Sequence, residues 1–423
     1  MADPTPRPRK PSLLGRLGPG LITGAADDDP GGVATHSQAG AAFGFNMLWS
    51  VVLAYPLLAA IQSIVARIGR VTGHGLAANV KRVFPAWLLA ILVLSLLVAN
   101  TINIAADIAA MGEAAALVIP GMSKLAFALV IGIGCVLLEV FMSYKRYVGV
   151  LKWLTLSLLA YVGVVFTVKI PWGEVALRSF VPDISFTPAF LTMVVAVFGT
   201  TISPYMFFWQ SSQEVEDLGP DPDKRSLLNT PELADQELRR IRFDTWTGMA
   251  MCSLIAFFIV LTTTVTLHTN GVTEIASAAQ AAQALRPIAG ELAFWLFSLG
   301  IIGTGLLAVP VLAGSAAYAI SESFGWPMGL DRKLGQAPGF YGIIAAATLG
   351  GIALTFADIN PIKALFWSAV LNGLVAVPIM VVAMVLASRK SVMGPFVIGR
   401  TLKVLGWIAT GVMAAAGVGM FLA

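Results

Sequence analysis

The chain has 423 residues, of which 57% are hydrophobic and 12% charged, with a net charge of +4. Soluble domains carry about 25% charged residues, so this depletion, with a mean hydropathy of +0.82, excludes an ordinary pair or trio of soluble domains. Apolar runs of about 18 residues or more recur along the whole length, and each is long enough to cross ~30 Å of hydrocarbon.

Met1 to Ser12 is polar and rich in Pro and Arg. It reads as the start of a disordered tail of about 18 residues, not as a cleavable signal. Eleven spanning helices are predicted, roughly at 19–42, 45–67, 86–109, 124–143, 151–169, 188–211, 245–268, 290–320, 338–356, 362–387 and 403–422. The expectation is one transmembrane domain over 19–423. Spans 1–5 fall within 19–171, spans 6–10 within 188–387, and the eleventh stands last.

With the N-terminus placed in the cytoplasm, the outer connections hold Lys124, Lys169, Arg178, Arg286 and Lys363, and the other 22 of the 27 basic residues lie inside. That asymmetry satisfies the positive-inside rule. It predicts a multi-pass plasma (inner) membrane protein with its C-terminus outside. It also explains the positive charge without a nucleic-acid partner. The expected partners are the lipid bilayer and a transported inorganic cation or small solute; no protein partner and no cofactor are predicted. The inner loop from Glu214 to Arg242 mixes both signs and reads as a solvated linker. Cys135 and Cys252 fall inside apolar runs, where a small core residue is a better reading than a disulfide.

Span 1 contains Asp27-Asp28-Asp29-Pro30-Gly31-Gly32. Each aspartate at the bilayer centre costs a few kcal/mol on insertion scales, about 2.5–3.5. Pro30 removes a backbone donor, and Gly31 and Gly32 permit non-helical angles. The expected result is two half-helices joined by an unwound stretch, tolerated only beside protein or a wet cavity. Span 6 carries a similar interruption at Ser203-Pro204-Tyr205-Met206, after Gly199, Thr200 and Thr201. Interrupted helices heading two five-helix halves point to an inverted-repeat transporter with a midplane site. A ligand-free kink is the plain alternative for Pro204, but three adjacent aspartates beside Pro30 call for a function.

The remaining polar residues are read more plainly. Asn103 and Asn372 are mid-span amides expected to bond between helices. Glu139, Glu291 and Glu322 lie near span ends, where vestibular or snorkelling carboxylates are expected. His74 and His268 sit in or near loops and have no assigned role. Trp49, Trp87, Trp153, Trp295, Trp326 and Trp367 form an interfacial belt.

Residues through most of the chain resemble the Nramp family of proton-coupled divalent metal transporters. Those carrying the resemblance are Gly18-Pro19-Gly20, Asp29-Pro30-Gly31, Ala34-Thr35, Gln38-Ala39-Gly40-Ala41, Gly44, Leu48-Trp49, Gln62, Val71-Thr72-Gly73, Asp107-Ile108-Ala109, Gly112, Gly199, Thr201, Pro204 and Ser211. The resemblance implies an all-α membrane fold, a LeuT-type five-plus-five inverted repeat with an eleventh helix. It also implies a substrate site at Asp29, Gly32, Ser203 and Met206 with backbone carbonyls near Ala26 and Thr201.

The departures bear on the substrate. The family's helix 1 motif is Asp-Pro-Gly-Asn, and Gly32 stands at the fourth position; its helix 6 motif is Met-Pro-His-Asn, and Ser203-Pro204-Tyr205-Met206 stands there. Asp29 and Ser203 are then the candidate metal-ligating side chains, with the thioether moved to Met206. Carboxylate, carbonyl and water oxygens suit magnesium and manganese better than softer metals, and magnesium retains several of its waters. Magnesium or manganese is therefore expected over iron. The family's relay of acids, histidine and arginines is incomplete, since Ala110, Gln210 and an arginine-free span 9 stand at its positions. Asp29, Asp107, His36 and Glu113 remain the proton-coupling candidates, and coupling is expected to be weak or absent. Asp27 and Asp28 either join the site or face a vestibule.

Three other readings stay open. The same fold can carry a non-metal solute in a pocket shaped by Tyr205, Phe207 and Phe208. A membrane-embedded enzyme would need a catalytic constellation, and none stands out. A non-transporting sensor is the third.

Overall fold

The computed structural model describes residues 18–141, 156–219, 221–357 and 360–422. The predicted tail, Lys145, Arg146, Lys152 and Trp153, and parts of spans 4 and 5 lie outside the described residues. The elements that carry the argument are α1 (Pro19–Asp27), α2 (Pro30–Phe43), α3 (Leu48–Thr72), α4 (Leu76–Val83), α5 (Ala86–Val118), α6 (Lys124–Phe141), α7 (Leu159–Val164), α8 (Trp172–Phe180), α9 (Pro188–Thr201), α10 (Pro204–Glu216), α11 (Ala234–Thr266), α12 (Ala293–Phe324), α13 (Pro338–Leu354), α14 (Pro361–Ser388) and α15 (Arg400–Leu422).

Among the described residues, nine helical runs are long and apolar enough to cross a membrane. The difference from eleven has two local causes. The break in span 1 leaves α1 too short to count, and its second half runs on through a 3-10 turn at Gly44–Met47 into span 2. Span 5 is described only in part, as α7. Two helices are also longer than their apolar runs. α5 continues to Val118, and α11 begins at Ala234 with Asp235 and Glu237 in its first turn. Helical hydrogen bonding persists beyond the hydrocarbon when the end residues favour it, so apolar runs underestimate helix length.

The two interrupted runs lie at the centre. The run Pro188–Glu216 has 89% of its most apolar window buried, against 22% for α6 at the periphery. Its enclosure comes from an aromatic core in which Phe198, Tyr205, Phe207, Phe208 and Trp209 are fully buried. In lipid, helices associate by close packing rather than by hydrophobic exclusion from water. Accordingly α1 meets α11 backbone to backbone. A Cβ placed on Gly24 would fall on the Gly248 carbonyl, and one on Gly248 would fall on the Gly20 carbonyl.

The segment from Glu214 to Arg242 is not a solvated linker throughout. Glu214, in the last turn of α10, is fully buried and accepts a hydrogen bond from Arg240 of α11. Arg240 also reaches Glu237 at 3.0 Å, and Glu237 lies 2.7 Å from Arg70 of α3. Mixed charge here reflects helix ends that pair with one another; residues 221–233 between them stay largely exposed. Glu322 is likewise buried, accepting from the Ser212 hydroxyl at 2.7 Å and from the Ala78 amide at 3.1 Å. Glu139 accepts from Thr348 at 3.2 Å, and only Glu291, ion-paired with Arg286 at 2.8 Å, is an exposed carboxylate of the expected kind.

Candidate functional site

Both breaks are built the same way. α1 ends at Asp27; Asp28 leaves the helix at φ −79°, ψ 46°, and Asp29 is extended at φ −69°, ψ 170°. α9 ends at Thr201; Ile202 leaves at φ −104°, ψ 59°, and Ser203 is extended at φ −78°, ψ 137°. In each, a proline follows as the first residue of the next half-helix, where its missing N–H costs nothing. The proline also strips a donor from the preceding half-helix. The helical donor to the Ala26 carbonyl would be residue 30, and that to Thr200 would be residue 204. Side chains fill both places: the Tyr205 hydroxyl donates to Ala26 O at 3.4 Å, and the Ser203 hydroxyl donates to Thr200 O at 2.8 Å and Gly199 O at 2.7 Å.

Asp29 caps α2. Its Oδ1 accepts the Gly32 amide at 2.6 Å, at the positive end of the half-helix dipole. Its Oδ2 accepts from Asn103 Nδ2 at 3.3 Å, and Asn103 Oδ1 accepts from the Ser368 hydroxyl at 2.7 Å. One carboxylate thus ties α2, α5 and α14 together. Gly32 lets this happen. A Cβ there would lie 3.1 Å from the Asp27 carbonyl and 3.4 Å from Asp29 Oδ1, so the asparagine of the family pattern would crowd this arrangement.

Asp107, one turn beyond Asn103 on α5, is fully buried, and neither of its oxygens has a hydrogen-bond partner. Asp27 Oδ2 accepts from the Cys252 thiol at 3.2 Å, while its buried Oδ1 has no partner. Asp28 is buried beside it. Four carboxylates therefore stand within or next to the first break, and none of them is ion-paired among the described residues. Buried charge of one sign without a counter-charge is costly, which makes such a place attract a cation or hold protons.

The other expected residues are placed as follows. The Thr201 hydroxyl donates to Val197 O at 2.7 Å and lies 3.5 Å from His36 Nε2. His36 Nδ1 is 2.7 Å from the Gly32 carbonyl, so that nitrogen carries the proton, because a carbonyl can only accept. Met206 is fully buried in the first turn of α10. Glu113 stands away from this cluster, its Oε1 accepting the Ala278 amide at 3.0 Å at the start of the short helix Ala278–Gln283. Sequence reasoning missed Asn103 as a site residue. The signal available was its position four residues before Asp107, which puts both on one helix face. No signal in the letters linked Cys252 to Asp27.

On one side a cleft of about 470 Å³ between α2, α9 and α14 reaches Ala34, one turn beyond Pro30. On the other side the start of α1 is fastened down. Asp244 of α11, fully buried, accepts the amides of Gly18, Gly20 and Leu21 at 2.8, 2.7 and 3.3 Å.

Two half-helix pairs meeting around a buried carboxylate, within a bundle of helices long and apolar enough to cross a membrane, define a membrane protein of the five-plus-five inverted-repeat class with an eleventh helix. Within that class the chain belongs to the Nramp family: the model for natural resistance-associated macrophage protein-like proteins matches residues 20–423. It is similar to the divalent metal cation transporter MntH of Klebsiella pneumoniae, 26% identical over 414 residues that cover 95% of this chain and 92% of the relative. It is also similar to MntH of Acidiphilium cryptum, 26% identical over 89% of this chain and 83% of the relative. Its fold is that of a manganese transporter from Eremococcus coleocola, with TM-score 0.78 at 15% identity, covering 98% of this chain and 88% of that one. A nucleobase-cation-symport transporter, Mhp1, superposes at TM-score 0.55 with 14% identity, covering 96% and 92%.

Proposed function

We propose that this protein moves a divalent metal cation across the plasma membrane by alternating access, magnesium or manganese in preference to iron, with weak or no proton coupling. The observation that carries this reading is Asp29. It sits buried between the half-helices, its carboxylate held by neutral donors that include the Gly32 backbone amide and the Asn103 side chain, with no side-chain amide at position 32 and no sulfur at position 203. Among the described residues no three His, Cys, Asp or Glu side chains converge as a metal cage. A cation would then be held by Asp29 together with carbonyl, hydroxyl and retained water oxygens, the donor set that suits a hard ion. The carbonyls of Ala26 and Thr200, each deprived of its helical donor by a proline, are the natural additional ligands once Tyr205 and Ser203 turn away. Weak coupling is supported by Glu113, which is spent on the amide that opens the short helix Ala278–Gln283, and by Gln210, which donates to the Thr245 hydroxyl at 2.8 Å. A cytoplasmic N-terminus and an outer C-terminus are supported by the distribution of basic residues.

Proteoliposomes test the reading directly. Magnesium, manganese and iron uptake are measured with internal pH, for the wild type and Asp29→Ala. Magnesium or manganese uptake that is lost in the variant and moves few protons is the expected result. Neither uptake nor metal binding by the wild type would leave the non-metal solute as the better reading.

A further inference from the structure

We propose that the cleft between α3, α11 and the start of α15, at the basic end of the bundle, binds the phosphate of an anionic membrane phospholipid. The cleft measures about 690 Å³ and is walled by Arg67 of α3, Arg239 and Arg242 of α11 and Arg400 of α15, against a single carboxylate, Asp235. At Trp246 it meets a second recess of about 630 Å³, lined by Tyr55, Phe243 and Ala250. That recess follows α11 toward its apolar middle.

The pairing of the arginines separates this cleft from an ordinary basic rim. On the inner faces of the same helices, Arg70 and Arg240 are matched to Glu237 and Glu214. In contrast, among the described residues no carboxylate lies within ion-pair distance of Arg67, Arg239, Arg242 or Arg400. Arg239 Nε donates only to the Asp235 carbonyl, at 2.9 Å. Arg67 Nε is buried and has no hydrogen-bond partner, as is true of Arg70 Nε and Arg240 Nη1, but among the described residues Arg67 also lacks a carboxylate to offset its charge and stands in the repulsive field of Arg242. A buried guanidinium N–H without an acceptor is unfavourable, and so are like charges held together. One anion relieves both. Guanidinium groups match phosphate oxygens as a planar fork, which a lysine ammonium does not, and all the cations of this cleft are arginines.

The apolar recess makes the ligand a lipid rather than a free anion. Phe243 is half exposed at the bundle surface. Tyr55 and Trp246 form an edge-to-face pair at 5.8 Å. Amphipathic rings of this kind settle at headgroup level, and basic pockets between helices at the cytoplasmic face take anionic headgroups. With the phosphate among the arginines, an acyl chain lies along Phe243 and Ala250.

The test uses the full chain in nanodiscs of equal parts phosphatidylglycerol and phosphatidylcholine, released for native mass spectrometry to count retained lipid. The wild type is expected to retain phosphatidylglycerol over phosphatidylcholine by about tenfold or more. The triple variant Arg67→Gln, Arg242→Gln, Arg400→Gln is expected to lose that preference. A control, Lys81→Gln, Lys390→Gln, Lys403→Gln, removes equal charge elsewhere on the same end and is expected to keep it. Should the cleft triple fail to fold, the exposed single variant Arg242→Gln replaces it, with an expected loss of about fivefold. No preference in the wild type, or equal loss in both triples, overturns the proposal. Inorganic phosphate bound in lipid-free detergent as tightly as phosphatidylglycerol assigns the cleft to free phosphate and overturns the lipid.

Discussion

The two helix breaks share a backbone and differ in chemistry. Asp28-Asp29-Pro30 and Ile202-Ser203-Pro204 leave and restart the helix through closely similar angles. The first gathers buried carboxylates. The second offers a hydroxyl folded back on the carbonyls of Gly199 and Thr200. Proline sets the geometry of a break, because the missing N–H and fixed φ act whatever the neighbours are. Side chains set what the break binds. The scaffold of the family is therefore kept here, while Gly32 and Ser203 depart from its helix 1 and helix 6 motifs.

The largest expected effect tests that asymmetry. Asp29→Ala should reduce cation uptake at least about 100-fold, whereas Ser203→Ala should cost no more than about fivefold, since it removes hydrogen bonds worth ~1 kcal/mol. Equal losses in the proteoliposome assay would show that the second break ligates as strongly as the first. Next in size is the double substitution Gly32→Asn with Ser203→Met, which installs the family's amide and thioether. The ratio of manganese to magnesium uptake should rise about tenfold; an unchanged ratio would move selectivity to residues outside the breaks. Asn103→Ala removes the brace from α5 and should weaken cation affinity by roughly tenfold while leaving helix content intact. The smallest effect concerns the fastened end. Asp244→Asn retains one acceptor oxygen for three amides and should destabilise the protein by about 1–2 kcal/mol, seen as a lower thermal unfolding temperature. An unchanged transition would mean that the glycine contacts between α1 and α11 hold α1 by themselves.

Much of this was legible in the letters. Pro30, Gly31 and Pro204 mark the breaks because backbone chemistry is written residue by residue. Asp29 stood out because a carboxylate in an apolar run is expensive wherever the chain goes. The partners were not legible. Asn103 is legible as an interhelical amide, and nothing in the letters makes it the brace of Asp29. The mixed charge of Glu214 to Arg242 suggests a solvated linker because composition alone does not say that Glu214 turns inward to meet Arg240.

By itself the sequence determined that the chain lives in a bilayer, where its helices break, and which carboxylate stands at the break. These follow from transfer free energies and from proline's missing donor, which act locally. Only the tertiary structure decided which groups meet there. Asp29 and Asn103 are 74 residues apart, Ala26 and Tyr205 179, and Asn103 and Ser368 265. Contacts at such separations depend on how whole helices pack, and packing is set by the shapes of many side chains at once.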